Sequence, residues 1–499
     1  MKVPKSFFNW MSIAGFILAV NSLVLILVLF IISITAKQSS TYLGVYTYIV
    51  IPIFLILGLL LMPLGMLLKI RRIKSAEESG EKWPVLNMNL RRHRNTLYKV
   101  TIITFLFLIT SAMGSYMAFQ YTESVEFCGK LCHQVMEPEY TTYLHSPHAR
   151  VACVECHVGE GADWYVRSKL SGLYQVYAAT FNKFPRPIPT PVTSLRPARE
   201  TCEKCHWPQK FYARKLRSDL RYISDSLNTE WSYSLLMKIG PSYSALGLRE
   251  GIHWHINPDI KIEYVAGTKD RETIHWVKYT NLKTGIVKIF QDEENTLEPK
   301  ALDTLEHRTM DCMDCHNRPS HLYKSPSQYV NDALVAGQIP KDLPFIKHIS
   351  MQVLKNPFGT KDSAVNFIRD SITSFYQQNY YQIYKTRSAD ITKAIASITQ
   401  GYLNNAFPFM KANSSVYLNH IGHLESDGCF RCHSDRHKTD KGELIPKDCD
   451  LCHTIIAQGP TGNMLNATLE ESMEFMHPVN VKNAWKTGLC SECHHKLYE

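Results

Sequence analysis

The chain has 499 residues, of which 14 are cysteine and 21 are histidine, and its formal net charge is +10. Such an excess of positive charge would ordinarily suggest a nucleic-acid partner. Residues 1–99, however, hold 12 Lys and Arg against 3 Asp and Glu, so nearly all of the excess lies there and the remaining 400 residues are almost neutral. We therefore expect no nucleic acid as a partner.

Three long uncharged runs occupy the N-terminal part of the chain. Each run holds at least 20 residues, which is enough to cross a bilayer. The first run is longer than the apolar part of a typical cleavable signal peptide, so we expect it to remain as an anchor. The sequence predicts three transmembrane helices, near residues 10–36, 43–69 and 100–121, within a membrane anchor that spans residues 1–122.

The charges between these runs predict the orientation of the anchor. The segment from Lys69 to Lys99 carries nine Lys and Arg residues, whereas the loop around Lys37 carries one. Positive charge accumulates on the cytoplasmic side of a membrane protein. The N-terminus and the basic loop 70–99 are therefore expected in the cytoplasm, and residues from Glu123 onward in the periplasm, across a bacterial inner membrane.

Every cysteine belongs to one of seven pairs, and a histidine directly follows the second cysteine of each pair. C-x-x-C-H is the attachment signature of c-type haem, in which two thiols bond the porphyrin and the histidine binds the iron. The sequence thus predicts seven covalently bound haem c groups. Their residues are Cys128, Cys132 and His133; Cys153, Cys156 and His157; Cys202, Cys205 and His206; Cys312, Cys315 and His316; Cys429, Cys432 and His433; Cys449, Cys452 and His453; and Cys490, Cys493 and His494.

Zinc and disulfides are the competing uses of paired cysteines. Zinc sites do not require a histidine directly after every second cysteine. Disulfides suit an exported domain, but they do not require the same short spacing at every site. Only the first motif departs from the pattern, with three residues between Cys128 and Cys132. It is either a degenerate non-site or a haem site next to the membrane surface.

Low-spin haem iron needs a second axial ligand, and the exported part holds more histidines than motifs. Each spare histidine is either such a ligand or an ordinary surface or hydrogen-bonded side chain, and Met136 is either a ligand or a packing residue. His321 follows His316 too closely to reach the opposite face of the same ring, so it would serve a neighbouring haem or none. The candidates are Met136, His145, His148, His307, His321, His420, His423 and His477.

The exported part shows three regions. Residues 123–215 hold the first three motifs and residues 301–499 the last four, while 216–300 contain alternating apolar residues and a hairpin signal that predict strands. Helical spacing recurs between Val365 and Phe375 and between Ile391 and Tyr402. We expect a mainly α fold: three transmembrane helices, and a periplasmic multihaem c domain with little regular structure and a small β insertion.

The region around the first two motifs resembles a known family. The third apolar run, the segment from Cys128 to Met136, the Tyr143-Leu-His145 triplet and the segment Val151–Gly159 are similar to the NapC/NirT/NrfH family of membrane-anchored quinol dehydrogenases. Over the whole chain, three helices and seven motifs resemble the seven-haem inner-membrane cytochromes of metal-reducing bacteria more than the tetrahaem members.

The resemblance implies menaquinol oxidation at the first haem and electron delivery from the menaquinone pool to periplasmic c-type cytochromes or a reductase. It also implies a methionine-ligated first haem. The chain has one extra residue on each side of the Cys132-His133 pair relative to tetrahaem members, so Met136 and His133 both stay candidates.

The family's quinol pocket uses a lysine and an acid. Lys169 matches the lysine; Gln175 stands where the acid is expected, and Asp163 is the nearby carboxylate.

Three functions are compatible with these features. The favoured one is a quinol dehydrogenase that conducts electrons through its haem chain in anaerobic or extracellular respiration. The second is a terminal reductase of a small periplasmic substrate, which would need an open iron site. An altered motif ligand often marks such a site, and here all seven motifs keep their histidine, which disfavours this function. A passive membrane-tethered relay without its own quinone site is the third.

Overall fold

The computed structural model describes residues 5–35, 46–74, 88–159, 161–192, 196–208, 211–240, 251–302, 304–468 and 472–495. Lys37 and residues 75–87 of the predicted basic loop, including Lys82, lie outside these residues. The chain forms two compact units: residues 1–136 with 152–154, and residues 137–151 with 155–499.

Two helices of the first unit are long and apolar enough to cross a membrane. They are α1 (Trp10–Thr35) and α2 (Ile51–Lys74), whose apolar segments Trp10–Ile32 and Ile51–Arg71 have mean hydropathies of 2.9 and 2.6. Large apolar side chains such as Leu60 are more than half exposed, as expected for a surface that faces lipid rather than water.

Small residues hold α1 and α2 together. A Cβ atom on Gly58 would lie 2.7 Å from the carbonyl oxygen of Gly15, so only glycine allows this approach. Ser12 is fully buried, and its Oγ donates a hydrogen bond to the carbonyl oxygen of Met62 at 2.8 Å. Small residues and buried hydroxyls are the usual means of helix association in lipid.

The third predicted run lies within α3 (Arg91–Thr122). The helix is confirmed, and its apolar side chains are exposed, with Ile102 at 58% and Phe105 at 62%. That α3 crosses the membrane stays a prediction. It ends at Glu123, where Ser124 caps the next helix by accepting a hydrogen bond from the Phe127 backbone at 3.1 Å.

Short and medium helices carry the chain through the first three motifs. They are connected by turns and irregular segments. The helices are α4 (Val125–Lys130), α5 (His133–Leu144), α6 (Cys153–His157), α7 (Ala162–Thr180) and α8 (Ala198–Cys202).

Two antiparallel sheets follow. One has the strand order β1-β2-β8-β9 and the other β6-β3-β4-β5-β7. The predicted strands and hairpin are confirmed: β4 ends at Asn281, β5 begins at Val287, and Thr280 pairs with Val287. The strands are β1 (Lys215–Tyr222), β2 (Glu230–Met237), β3 (Ile260–Ala266), β4 (Ile274–Asn281), β5 (Val287–Asp292), β6 (Arg308–Thr309), β7 (His437–Lys438), β8 (His453–Pro460) and β9 (Leu465–Asn466).

Strands from beyond residue 300 complete both sheets. β8 pairs with β2 through residues such as Trp231 and Pro460, and β7 pairs with β5 through His437 and Asp292. The β-rich segment, residues 215–292, is therefore interleaved with the C-terminal motifs. β8 itself begins at His453 of the sixth motif, so the sheet fixes that histidine directly.

A helical subdomain lies between the fourth and fifth motifs. Its core contains Ile368, Ile372, Tyr376 and Ile398, all fully buried, which confirms the helical spacing read from the sequence. The subdomain helices are α11 (Pro326–Val335), α12 (Ile346–Leu354), α13 (Lys361–Asn379), α14 (Tyr381–Thr386) and α15 (Ser388–Asn405); the remaining short helices are α9 (Pro299–Leu302), α10 (Cys312–Cys315), α16 (Ala484–Thr487) and α17 (Cys490–His494).

Candidate functional site

The motif cysteines lie on short helical turns. In α6, Cys153, Cys156 and His157 fall at positions i, i+3 and i+4, which one face of a helix brings together. The extra residue of the first motif is accommodated between α4, which contains Cys128, and α5, which begins at His133. All 14 thiols are free of disulfides, as attachment to a porphyrin requires.

A buried acid fixes the fourth motif. Asp311 caps α10 by accepting a hydrogen bond from the Met313 backbone at 2.8 Å, and Asp314 accepts one from the Asp311 backbone at 2.6 Å. This reciprocal capping box satisfies two backbone donors at the start of a one-turn helix. The position of Cys312 and Cys315 therefore depends on the residues around them in the motif.

Neighbouring motifs lie close together in sequence order. The Cys128 thiol is near enough to hydrogen-bond with Cys153 and lowers the pKa of Cys153 to about 7, and Cys202 likewise lowers the pKa of Cys312. The remaining neighbours are close enough for one thiol to affect the pKa of the next: Cys156 and Cys202, Cys315 and Cys429, Cys429 and Cys452, and Cys449 and Cys490. The first motif thus connects stepwise to the seventh.

Five motif histidines each face a second histidine from elsewhere in the chain. Because a metal–imidazole bond is roughly 2 Å long, two imidazoles bound to opposite faces of one metal have ring centres about 6 Å apart. The observed centre-to-centre distances are 6.3 Å for His157 and His321, 6.1 Å for His206 and His148, 5.9 Å for His433 and His255, 6.3 Å for His453 and His423, and 6.0 Å for His494 and His477.

Burial favours the neutral form of several of these histidines. Burial and the neighbouring His321 together lower the pKa of His157 to about 4. Burial has the same effect on His423 and His433, each with a pKa of about 4. A neutral imidazole keeps the lone pair that a metal needs.

Backbone carbonyl groups orient the second histidines. The Nδ1 atom of His148 lies 3.0 Å from the Pro319 oxygen. A carbonyl oxygen can only accept, so this Nδ1 carries the proton and Nε2 is left with its lone pair. The Nδ1 atom of His477 lies 2.7 Å from the Val479 carbonyl oxygen and 3.2 Å from the Val479 amide nitrogen, so the Val479 backbone holds that ring. His321 has the same arrangement as His148, with Nδ1 3.0 Å from the Glu139 carbonyl oxygen.

Two cavities adjoin the last four motifs. The larger, of about 1880 Å³, is bordered by residues of the fourth to seventh motifs, including His316, His453 and His494. Single ligand pockets are typically about 300–1,000 Å³, so this cavity has room for more than one large cofactor. The smaller, of about 510 Å³, is bordered by His433 and Cys432. Thiols, paired imidazoles and cavities of this size fit covalently attached haem.

Three of the predicted ligand candidates have other contacts. His145 places Nδ1 2.8 Å from the Thr141 carbonyl oxygen and Nε2 3.4 Å from Asn404. His307 places Nε2 2.9 Å from the Leu302 carbonyl oxygen. Both ring nitrogens of His420 are engaged, Nδ1 with the Asp314 carbonyl oxygen at 3.2 Å and Nε2 with a Glu272 carboxylate oxygen at 2.7 Å.

The first motif keeps both of its candidate ligands on one helix. His133 begins α5 and Met136 follows three residues later, so their side chains share a face of that helix. His133 is exposed and Met136 is half-buried.

The three quinol-pocket candidates lie on α7. Successive helical residues are rotated by about 100°, so Asp163, Lys169 and Gln175 are each about 120° from the others rather than on one face. The Lys169 ammonium lies 5.0 Å from the centre of the Tyr165 ring, and the Gln175 amide lies 3.4 Å from the Ser171 hydroxyl. Lys169 borders a stripe of exposed apolar residues, namely Val166, Leu170, Leu173, Tyr174, Tyr177 and Phe181.

Two histidines near the motif rings were missed by the reasoning from sequence. His255 faces His433, and His253 borders the larger cavity together with His316. Both lie more than forty residues from the nearest motif, so proximity along the chain gave no reason to select them. The only signal was their occurrence as an alternating His-Trp-His triplet.

Comparison with known proteins agrees with this geometry. Residues 91–187 match the model of the NapC/NirT cytochrome c family, N-terminal region. The cytochrome c-type protein ImcH of Geobacter sulfurreducens is 38% identical over 99% of this chain and 96% of its own length. The cytochrome c-type protein NrfH of Wolinella succinogenes is 28% identical over 22% of this chain and 61% of its own length.

No solved structure matches the chain. The full-length similarity to ImcH and the family match at the first two motifs agree with the apolar helices and the cysteine pattern. The chain therefore belongs to the NapC/NirT cytochrome c family and is a membrane-anchored multihaem cytochrome c.

Proposed function

We propose that this protein oxidises menaquinol at the inner membrane and conducts the electrons through seven haem c groups to periplasmic c-type cytochromes or a reductase. The observation that carries the proposal is the proximity of each motif to the next, stepwise from Cys128 to Cys490. A terminal catalytic site would not need such an order, whereas a conductor does.

The residues that would hold the haem groups follow from the pairs of histidines. Each motif would provide two thiols and one imidazole to its haem, and His321, His148, His423 and His477 would provide a second imidazole to the second, third, sixth and seventh haem. His133 and Met136, which lie on one helix, would be the candidate iron ligands at the first motif. Bound haem c supplies one-electron redox chemistry; the chain's own part is to position the groups and to set their potentials through the ligands.

The paired histidines argue against a terminal reductase. Catalysis on a small substrate needs an iron with an open coordination position. Five motif histidines already face a second histidine at 5.9–6.3 Å. Electron conduction is therefore the better match.

Helix α7 supports a quinol site. Its apolar stripe, with Leu170 and Leu173 each more than 60% exposed, offers a surface for an apolar quinol and lipid. Lys169 lies at the edge of this stripe and would bind a quinol hydroxyl, with Asp163 and Gln175 as further polar candidates. Quinol oxidation releases two protons with its two electrons, so a polar group next to an apolar surface suits the reaction.

Optical reduction of the purified full-length protein by a menaquinol analogue tests the function. We expect the haem absorption bands to shift to the reduced form on addition of the quinol, and Lys169→Ala to slow this reduction by at least tenfold. Lys183→Ala removes an equal charge just beyond the same helix and is the matched control. Absence of reduction in the wild-type protein would show that it is not a quinol dehydrogenase; a Lys169→Ala variant as fast as the control would remove Lys169 from the site.

A further inference from the structure

We infer that two histidines of the β-rich segment, His253 and His255, provide the second axial ligands of the fourth and the fifth haem. The inference rests on the proposed attachment of haem at all seven motifs. It gives the β-rich segment a role in cofactor binding, although this segment contains no C-x-x-C-H motif of its own.

His255 faces the fifth motif. Its ring centre lies 5.9 Å from that of His433, close to the 6.0–6.3 Å of the other four pairs. The Nδ1 atom lies 2.7 Å from the Ile252 carbonyl oxygen, so Nδ1 carries the proton and Nε2 keeps its lone pair. His255, His433 and Cys432 all border the 510 Å³ cavity. The two imidazoles and a motif thiol therefore enclose one space of suitable size.

His253 lies beside the fourth motif. It borders the larger cavity together with Cys315 and His316. The ring of Phe211 packs against His253 with a centre-to-centre distance of 4.5 Å. This aromatic contact holds the imidazole in place beside the cavity.

The turn that carries the two histidines explains why they serve different haems. Ile252–Ile256 is a 3₁₀-helix, which has about three residues per turn. Residues two apart on such a turn point roughly 120° away from each other. One short segment can therefore direct His253 towards the larger cavity and His255 towards the smaller one.

The backbone holds this turn against the end of β2. The amide groups of Ile252 and His253 donate to the carbonyl oxygens of Lys238 and Ile239, each at 2.9 Å. Gly251 has a φ of +109°, and a Cβ atom there would lie 2.7 Å from the Cα of Gly240. The Lys238 amide in turn donates to the carbonyl oxygen of Cys452 at 2.8 Å, so the turn is anchored beside the sixth motif.

Single replacement of each histidine in the full-length protein tests the inference. We expect His253→Ala and His255→Ala to keep seven attached haem groups by intact mass while about one seventh of the haem becomes high-spin and binds carbon monoxide. His275→Ala is the matched control, because His275 lies on β4 with Nδ1 3.0 Å from the Asn295 carbonyl oxygen. The control should keep the wild-type spectrum.

Methionine variants cover the case in which an alanine variant does not mature. A thioether ligand raises a haem potential relative to bis-histidine, so His253→Met and His255→Met should each move one component of the redox titration upward. Seven attached haem groups with an unchanged low-spin spectrum and titration in the variants would overturn the inference while leaving the proposed function intact. A wild-type protein with fewer than seven attached haem groups would instead overturn the attachment on which it rests.

Discussion

Replacement of Asp314 by asparagine tests whether a buried charge fixes the fourth motif. Asp314 lies between Cys312 and Cys315, and its side chain is only 2% exposed. One carboxylate oxygen accepts hydrogen bonds from the Tyr264 hydroxyl at 2.6 Å, from Arg308 Nε at 2.6 Å and from an Arg271 nitrogen at 3.1 Å. Asparagine keeps the volume of the side chain and removes its charge.

The expected loss follows from the two arginines left behind. Removing one partner of a buried ion pair costs about 3–5 kcal/mol of stability. Arg271 and Arg308 are 18% and 23% exposed, and Arg308 keeps a second partner, Asp311, at 2.9 Å. Burial alone would lower the pKa of Arg308, but the hydrogen bond with Asp314 and the charges of Asp314 and Asp311 together outweigh it, so the pKa is raised. We therefore expect Asp314→Asn to lower the free energy of unfolding by about 3 kcal/mol, the low end of that range.

Urea unfolding of the full-length protein in detergent, followed by circular dichroism, measures this loss. Asp311→Asn is the matched control, because it neutralises a less buried acid in the same capping box and leaves Arg308 paired with Asp314; we expect a loss of about 1 kcal/mol or less. Equal unfolding midpoints for the two variants, or a wild-type midpoint for Asp314→Asn, would show that the buried charge does not hold the motif in place.

Three further changes test other parts of the molecule. Ile368→Ala, at a fully buried site of the helical subdomain, should lower the free energy of unfolding by about 2–5 kcal/mol in urea titrations, whereas Phe367→Ala on the exposed face should cost much less. A hydrogen bond with Lys341 lowers the pKa of Glu230 below 4.5. Glu230 therefore stabilises the folded protein fully above pH 4.5, and this contribution is lost as the pH falls through the lowered pKa. The difference in melting temperature between wild type and Glu230→Gln should shrink towards pH 3. Gly58→Leu should separate α1 from α2, measurable as faster proteolysis of the anchor in detergent and contradicted by wild-type resistance.

Several helices and one hairpin could be predicted because the signal for each lies within its own sequence segment. The uncharged runs correspond to α1, α2 and α3, and the apolar spacing around Ile368 and Ile398 corresponds to helices α13 and α15. In each case one face or the whole circumference of a helix is apolar, so the sequence within the element already contains the signal. The hairpin of β4 and β5 was predictable for the same reason.

Arrangements that depend on distant residues could not be predicted in this way. β7 and β9 are two residues long, too short for alternation to be visible, and their partners lie far away in the sequence. The pairing of His148 with His206 or of His255 with His433 likewise depends on the tertiary fold. Motif spacing predicts the attachment residues, but it holds no information about which spare histidine faces which motif.

The interleaved sheets affect how the protein matures. β2 pairs with β8, which lies more than two hundred residues later in the chain, and β5 pairs with β7. The fold therefore has many contacts between residues that are distant in sequence. Such contacts form late, because long loops must close first. The third and fourth motifs are therefore synthesised before the strands that complete the sheets, and we expect their thiols to stay accessible until then. The topology thus allows haem ligation at these motifs to precede final folding.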